Sequence, residues 1–355
     1  MRAPTRCGGR SNAVRVRGAS RISSRAIARE VATLIDDVGA PAPIDVAVGI
    51  LVRDDGAFLL AQRPEGKPMA GWWEFPGGKL EAGESVFDAL RREFREELSL
   101  EVRAACPWVQ RVVTYPHATV RLHFWRSIGE DRAWSGAPQS NEGQQFRWEF
   151  IDRLTTDPWL KGALPVKRWL RLPATYAISN AADGGVAAFL ARLEVALAAG
   201  RVTQLQLREP ALDADAFAHL FAEVRARCVE RDVRLLVNSV HGPTWAERAD
   251  GVHLTARDLA VCERRPDGAW VIASCHTADE LAHAAQLDLD AAVVGSVKTT
   301  ASHPGVAPRG WSGFAAIVRE TALPVYAIGG LSADDLDDAL AAGAHGVAMI
   351  RGAWS

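Results

Sequence analysis

Apolar residues follow two different patterns along this chain. In the first pattern, between Asp45 and Leu170, apolar runs alternate with polar positions and turn signals, which predicts β-strands. These runs are Asp45–Arg53, Gly56–Arg63, Thr119–Ser127 and Gln144–Ile151. One segment of this region, Ser85–Leu98, differs, because its apolar residues recur at three- and four-residue steps: Phe87, Leu90, Phe94 and Leu98. That spacing predicts a helix with one apolar face, packed on a mixed sheet.

The second pattern begins at Ala174. Short apolar runs alternate there with helical segments, which indicates βα units and a parallel sheet. The runs are residues 175–179, 204–208, 234–238, 251–255, 271–275, 291–297, 325–330 and 346–352. Eight parallel strands can close into a barrel. The sequence therefore predicts the α/β class, with a mixed-sheet domain followed by a (β/α)8 barrel. We expect the last helix of that barrel to be truncated, since the chain stops at Ser355.

The length of 355 residues is consistent with two domains. We predict boundaries at 41–170 and 174–355, with Lys167–Pro173 as the connection. Residues 1–40 are different, because the first 29 contain eight arginines and no acid. This composition resembles a transit peptide, but the segment lacks a long apolar face. We favour a disordered tail, or extra residues from an upstream start codon.

Composition excludes several classes of protein. Apolar residues make up 48% and charged ones 24%, as in globular proteins, and a net charge of -2 creates no field that would attract nucleic acid or an anionic membrane. No apolar run approaches the roughly 20 residues that a membrane helix needs. Five scattered cysteines without a C-x-x-C pair favour reduced thiols over a zinc site or disulfides. We expect a cytoplasmic protein with no nucleic-acid or membrane partner.

The helix predicted over Ser85–Leu98 carries clustered acids. Glu93, Glu96 and Glu97 fall at i, i+3 and i+4, so they share one face beside the apolar stripe. Like charges at this spacing destabilise a helix by about 0.2–0.5 kcal/mol per pair. Clustered carboxylates suit Mg²⁺ or Mn²⁺, which would offset the repulsion. The alternative interpretation, for three glutamates alone, is a solvated acidic face.

A longer motif surrounds these glutamates. Gly78, five residues, Glu84, seven residues and then REFREELSL (Arg92–Leu100) resembles the Nudix box, G-x5-E-x7-R-E-U-x-E-E-x-G-U, in which U is bulky and apolar. One position departs, since Ser99 replaces the second glycine at a helix exit, where glycine eases a left-handed turn. The stretches VAVGILVR, EFPGGK and RLHFWRS further resemble the MutT type. This resemblance implies a Nudix α/β/α sandwich.

The Nudix resemblance implies roles for individual residues. It implies metal ligation by the carbonyl of Gly78 and by the carboxylates of Glu93, Glu96 and Glu97, with Glu142 in the loop Asn141–Gln144 as a further ligand or base. The implied catalytic set is Glu93, Arg92 and Glu142, in which Arg92 would hold the glutamates by charge-assisted hydrogen bonds. The implied substrate-binding residues are Arg63, Glu74, Phe75 and Gly77.

The MutT resemblance also implies a reaction. Mg²⁺, or Mn²⁺, would bridge the phosphates of a nucleoside triphosphate while a water oriented by a glutamate attacks phosphorus. The implied substrate is 8-oxo-dGTP, which would leave as 8-oxo-dGMP and pyrophosphate, removing a mutagenic precursor. Ala163, however, occupies the place of the asparagine that usually reads the oxidised purine. We therefore expect weaker preference for the 8-oxo base, and a broader nucleotide substrate stays open.

The barrel resembles thiamine-phosphate synthase and its relative TenI over Ala174–Trp354. The resemblance rests on QLREP, LLVNS, DGVHLTARDL, KTTASHPG and YAIGGL. Strand ends are where barrels bind ligands, and the loops after strands 7 and 8 often hold phosphate. The implied ligand residues are Gln206, Arg208, Asn238, Asp258, Thr300, Gly329 and Gly330. The implied partner is a small phosphorylated molecule.

Several synthase positions are changed in this barrel. Pro210 and His303 replace lysines, and Ser239 replaces an aspartate expected to bind Mg²⁺. We therefore predict an accessory or ligand-binding barrel beside an active hydrolase. The alternatives are a bifunctional hydrolase and synthase, or a nucleotide- or thiamine-responsive regulatory protein. Cys275 and His276 adjoin at a strand end, but neighbours on a strand point to opposite faces, which disfavours a catalytic pair.

Overall fold

The computed structural model describes residues 42–129, 132–141, 143–300, 305 and 307–354. The helices and strands of the described residues lie in one compact unit, residues 43–355. The predicted arginine-rich tail, Glu142 and His303 lie outside the described residues. In the described part, no helix is long and apolar enough to cross a membrane.

The N-terminal region, residues 43–170, contains a mixed sheet. Its strands are β1 (Ile44–Val52), β2 (Phe58–Gln62), β3 (Trp73–Glu74), β4 (Gly77–Lys79), β5 (Glu101–Val102), β6 (Cys106–Tyr115), β7 (Ala118–Ile128), β8 (Trp134–Ser135) and β9 (Phe146–Glu149). The main sheet has the order β3-β2-β1-β7-β6, with β4 on β1 and β9 on β2. Among these described strands, only the central β1–β7 pair is parallel within the sheet, which confirms the predicted mixed sheet. Strands β5 and β8 form a separate pair.

Two helices accompany this sheet, α1 (Val86–Leu98) and α2 (Leu164–Trp169). Helix α1 begins after Ser85, whose side chain accepts a hydrogen bond from the amide of Asp88 as an N-cap. The helix ends at Ser99, which has φ 55° and takes the left-handed turn expected of the missing glycine. Leu90, Phe94 and Leu98 are buried as predicted, so α1 lies with its apolar stripe on the sheet.

The second region is a closed barrel of eight parallel strands, which confirms the predicted count. Its strands are β10 (Thr175–Ile178), β11 (Gln204–Leu207), β12 (Arg234–Asn238), β13 (Gly251–Leu254), β14 (Trp270–Cys275), β15 (Ala291–Gly295), β16 (Val325–Ile328) and β17 (Gly346–Met349). Its helices are α3 (Gly185–Ala198), α4 (Ala214–Glu230), α5 (Pro243–Ala246), α6 (Ala256–Ala260), α7 (Ala278–Gln286), α8 (Gly310–Val318) and α9 (Leu336–Ala341). Single 3-10 turns occupy Ser239–His241, Ala333–Asp335 and Arg351–Ala353.

The N-terminal region packs against the end of the barrel where its strands begin. One apolar cluster contains side chains of both, including Trp108 and Trp169 together with Tyr176 and Tyr326. The buried guanidinium of Arg126 on β7 donates to the carbonyls of Ala344 (2.7 Å) and His345 (3.2 Å), just before β17. These contacts leave the opposite end of the barrel, where ligands bind in such folds, open.

The connection is anchored by charge as well as by packing. Asp290, only 1% exposed, accepts hydrogen bonds from Arg168 on α2 and from Arg265 on the barrel. The guanidinium groups of Arg168 and Arg234 lie 4.2 and 3.7 Å from the ring centroid of Trp270, so each forms a cation–π contact with that ring. Residues 167–173 are therefore part of the interface and not a free linker.

Candidate functional site

A cleft of about 480 Å³ opens beside β4 and the start of the acidic helix. Gly77 and Gly78 line this cleft, and neither position has room for a side chain. A Cβ at Gly77 would come within 2.0 Å of the Ala47 carbonyl oxygen, and one at Gly78 within 2.0 Å of Glu93 Oε1. The two glycines thus let the Glu93 carboxylate lie directly against the backbone, which places carboxylate and peptide groups at one wall of the cleft.

Arg92 is the centre of the charge network on α1. It makes two 2.9 Å contacts with the Glu84 carboxylate, and Nη1 donates to Glu93 Oε1 at 2.8 Å. Nη2 also reaches the Lys79 carbonyl (3.0 Å), and Nη1 lies 3.5 Å from Glu96 Oε2. The hydrogen bonds between Arg92 and Glu84 raise the pKa of Arg92 and lower that of Glu84, so both stay charged. Glu84 was part of the sequence motif but was not predicted as a site residue.

The three helix glutamates do not occupy equivalent places. Glu93, 14% exposed, and Glu97 both line the cleft, whereas Glu96 is 61% exposed and does not line it. Within the described residues, no three His, Cys, Asp or Glu side chains are grouped to hold a metal ion. Mg²⁺ usually keeps several waters and takes one or two carboxylates plus substrate phosphates. Two glutamates beside a cradle at Gly78 fit that donor set, so the residues present are compatible with such an ion.

The predicted substrate residues Arg63, Glu74, Phe75 and Gly77 all line the same cleft. Arg63 Nη1 donates to Glu74 Oε1 at 2.7 Å. Burial raises the pKa of Glu74 despite the nearby charges of Arg63 and Lys67. Phe75 is 3% exposed and packs edge-on against Trp159, at 5.6 Å between ring centroids, so most of its surface supports the wall.

Residue 163 departs from its expected place. Ala163 is the N-cap residue of α2, 5% exposed in the apolar cluster, and it does not line the cleft. The neighbouring wall is formed instead by Leu160 and by Tyr115, whose hydroxyl accepts from the Gly162 amide at 3.1 Å. Tyr115 ends β6 and His117 lies in the β6–β7 turn, with their rings stacked; both were missed by sequence reasoning because a hairpin tip carries no motif.

The barrel contains two adjoining cavities of about 580 and 470 Å³ at the ends of its strands. Of the predicted ligand residues, six line them: Gln206, Arg208, Asn238, Thr300, Gly329 and Gly330. Asp258 does not; its carboxylate accepts from the hydroxyls of Ser239 (2.5 Å) and Thr255 (2.7 Å). The Ser239 hydroxyl therefore donates to Asp258, at the position where the synthase resemblance implies a metal-binding aspartate.

A buried polar network underlies the larger cavity. Gln206 Nε2 donates to His253 Nδ1 at 2.9 Å, and Asn238 donates to Gln206 at 2.8 Å. Burial lowers the pKa of His253 to about 3, so the ring is neutral and its Nε2 proton points to the Ser274 hydroxyl (2.9 Å). His276 lines the cavity while Cys275 is fully buried, with its pKa raised to about 12 by burial, so the two side chains are not placed as a pair.

Comparison with known proteins matches both regions. The NUDIX domain family model matches residues 43–170, and the family model described as thiamine monophosphate synthase matches residues 175–353. An 8-oxo-dGTP diphosphatase of Haemophilus influenzae is 37% identical over 105 residues, which are 30% of this chain and 74% of that protein. A CTP pyrophosphohydrolase of Escherichia coli is 38% identical over 105 residues, with the same shares of 30% and 74%.

The barrel has curated relatives as well. A thiamine-phosphate synthase of Limosilactobacillus fermentum is 34% identical over 169 residues, which are 46% of this chain and 79% of that protein. Nudix hydrolases generally use a divalent metal such as Mg²⁺, and both families act on small phosphorylated substrates. The chain is a hydrolase of phosphoric anhydrides that belongs to the NUDIX family over residues 43–170 and to the thiamine monophosphate synthase family over residues 175–353.

Proposed function

We propose that the N-terminal region is a Mg²⁺-dependent nucleoside triphosphate pyrophosphohydrolase, with Mn²⁺ as an alternative ion, whose leading substrate is 8-oxo-dGTP. The observation that carries the proposal is the composition of one cleft. It joins hard oxygen ligands at Glu93 and Glu97 to a wall of Tyr115 and Leu160 that suits a nucleobase. A triphosphate ester of a flat heterocycle matches both ends.

The chain's own groups divide the work of hydrolysis. Glu93 and Glu97, with the Gly78 carbonyl, would hold Mg²⁺, which when bound neutralises charge on the phosphates. Arg92 holds the Glu93 carboxylate in place through its 2.8 Å hydrogen bond. Glu93 then orients the attacking water and accepts its proton. Glu142, outside the described residues, and Glu96, on the exposed side of α1, are proposed as additional metal ligands.

Fewer observations bear on the base than on the phosphates, because the expected asparagine is absent. The relative from Haemophilus influenzae is named for 8-oxo-dGTP and that from Escherichia coli for CTP, at nearly equal identity. CTP is therefore the second candidate. We place the reaction in the cytoplasm, which agrees with four free cysteines among the described residues.

A hydrolysis screen tests this function. The full chain is incubated with 8-oxo-dGTP, dGTP, CTP and dCTP, with Mg²⁺, with Mn²⁺ and with EDTA, and products are separated by chromatography. We expect metal-dependent release of monophosphate and pyrophosphate, fastest for 8-oxo-dGTP. Fastest release from CTP would select the second candidate, and no release from any nucleotide would refute the proposal. The full chain is used because side chains of both regions share one apolar cluster.

For the barrel we propose a binding role in a domain spanning 174–355, beside a hydrolase domain at 41–170 and a tail at 1–40. Its two cavities offer backbone amides at Gly329 and Gly330 to a phosphorylated small molecule. The bifunctional alternative is favoured by the matching synthase relatives. A purely regulatory chain is disfavoured by the intact Arg92–Glu93 network.

We predict that the purified chain forms no thiamine phosphate from the two phosphorylated precursors of the synthase reaction. Pro210 and Ser239 remove a cation and a metal-binding carboxylate, and Asp258 is instead bound by hydroxyls. The measurement is product formation with Mg²⁺, beside an authentic synthase as positive control. Turnover comparable to that control would establish the bifunctional enzyme.

A further inference from the structure

The ion pair of Arg63 and Glu74 lines the cleft. Arg63 directly follows β2 and Glu74 ends β3, so both residues are distant in sequence from the glutamates of α1. Arg63 is fixed twice, because Nε donates to the Pro68 carbonyl (2.8 Å) and Nη1 to Glu74 Oε1 (2.7 Å). Of the two carboxylate oxygens of Glu74, only Oε1 accepts a hydrogen bond from the described residues. Oε2 therefore remains available to a ligand in the cleft that Glu74 lines.

The Arg63–Glu74 pair lines the same cleft as the wall of Tyr115 and Leu160 that suits a base. Burial raises the pKa of Tyr115, and the charge of Glu74 adds to that increase. Tyr115 in turn is bonded to the Gly162 amide, next to the position where an asparagine was expected. Since Ala163 is buried away from the cleft, it offers no group to a base, whereas Glu74 does.

The chemistry of the purine edge distinguishes the oxidised base from guanine. Guanine presents two acceptors, N7 and O6, on its major-groove edge. In 8-oxoguanine, the C8 carbonyl leaves a proton on N7, so this edge presents an acceptor at O6 beside a donor at N7. A carboxylate next to a guanidinium complements the second pattern: Arg63 donates to O6 and Glu74 accepts from N7–H. Guanine instead sets its N7 lone pair against the carboxylate.

We propose that Glu74, held by Arg63, reads the N7–H of the oxidised purine and is the residue that selects 8-oxo-dGTP over dGTP in this chain. The inference rests on the proposed hydrolase function and deepens it by naming the specificity residue. It replaces the subgroup's usual asparagine by a carboxylate from strand β3, so discrimination survives without a polar side chain at residue 163.

The test compares kcat/KM for 8-oxo-dGTP and dGTP in the native chain and in Glu74→Gln. The glutamine has nearly the same size, but its amide can turn an N–H toward an unprotonated N7. We expect the ratio of the two kcat/KM values to fall by on the order of tenfold to a hundredfold, with dGTP hydrolysis kept or raised. Glu74→Asp keeps a carboxylate and should retain part of the preference. Glu65→Gln, an exposed acid of the same loop, is the matched control and should leave the ratio unchanged.

The outcomes separate this inference from the function on which it rests. Active Glu74→Gln enzyme with an unchanged ratio overturns the role of Glu74, and so does an equal loss on both substrates, which would indicate a structural effect. A native chain that hydrolyses nucleotides without preferring 8-oxo-dGTP to dGTP overturns it too. A native chain that hydrolyses none of them refutes the proposed function itself. If Glu74→Gln does not fold, the ratio measured for Glu74→Asp decides: a ratio lowered relative to the native chain supports the proposal, and an unchanged ratio opposes it.

Discussion

Replacing Glu93 by glutamine is expected to lower kcat for nucleoside triphosphate hydrolysis by on the order of 10²- to 10⁴-fold, the range typical for loss of a general base. The amide can neither accept the proton of the attacking water nor bind a cation with comparable strength. The fold should survive, because Glu93 lies beside the apolar stripe of α1 and not on it. The measurement is steady-state hydrolysis at saturating Mg²⁺, with thermal unfolding followed in parallel.

A matched control lies close to the same helix. Glu101, just beyond α1, pairs with Arg91 and Arg95 at 3.3 and 3.0 Å on the exposed surface. Surface pairs of this kind contribute little to stability, and Glu101 does not line the cleft. Glu101→Gln should therefore retain native turnover. Glu97→Gln should resemble Glu93→Gln, and native, Mg²⁺-dependent turnover in both would contradict the assignment of the metal-binding end.

Replacing Asp290 by alanine is expected to lower the free energy of unfolding of the whole chain by about 3–5 kcal/mol, the cost of removing one partner of a buried ion pair. Its carboxylate is 2% exposed and accepts from Arg265 Nη2 (2.8 Å), from Arg168 and from the Val271 amide (2.6 Å). Without it, two guanidinium groups lose their counterion. Urea unfolding followed by tryptophan fluorescence measures the change.

Asp267→Ala provides the comparison, since Asp267 is exposed in the loop before β14. It should change the free energy of unfolding by no more than about 0.5 kcal/mol. Because Arg168 belongs to α2 and Asp290 to the barrel, the Asp290 substitution should also loosen the interface and affect hydrolysis at temperatures near the transition. An unfolding curve for Asp290→Ala that matches that of Asp267→Ala would show that this ion pair does not stabilise the interface.

Local patterns account for most of what could be predicted. The three- and four-residue spacing of Leu90, Phe94 and Leu98 determined the helix, since burying a stripe is what stabilises it on a sheet. Eight apolar runs determined the eight strands of the barrel because each strand is buried on both faces. Even Ser99, the one departure from the motif, took the left-handed turn that the helix exit demands.

Motif spacing also indicated most of the cleft. Gly78, Glu93 and Glu97 were named from the sequence and line one cavity, because the motif encodes a turn and a helix face that are adjacent in the chain. Ala163 was expected at the place in the cleft where the family's asparagine reads the base, yet it is buried away from the cleft, and Asp258 was expected at the barrel cavity, yet it does not line it. Both expectations depended on how distant loops fold back, which neighbouring residues do not determine.

The sequence by itself determined the two fold classes, the acidic helix face and the residues that could bind a metal. Only the tertiary structure decided which of these share a cleft. Glu96 lies on the exposed side of α1, and Arg92 donates hydrogen bonds to both Glu84 and Glu93. Tyr115 lines the cleft from a hairpin about 40 residues beyond Glu74. It alone decided that Arg126 and Arg168 join the two regions. The physical reason is that periodicity reports the burial of a residue relative to its own helix or strand, whereas long-range packing selects its partner.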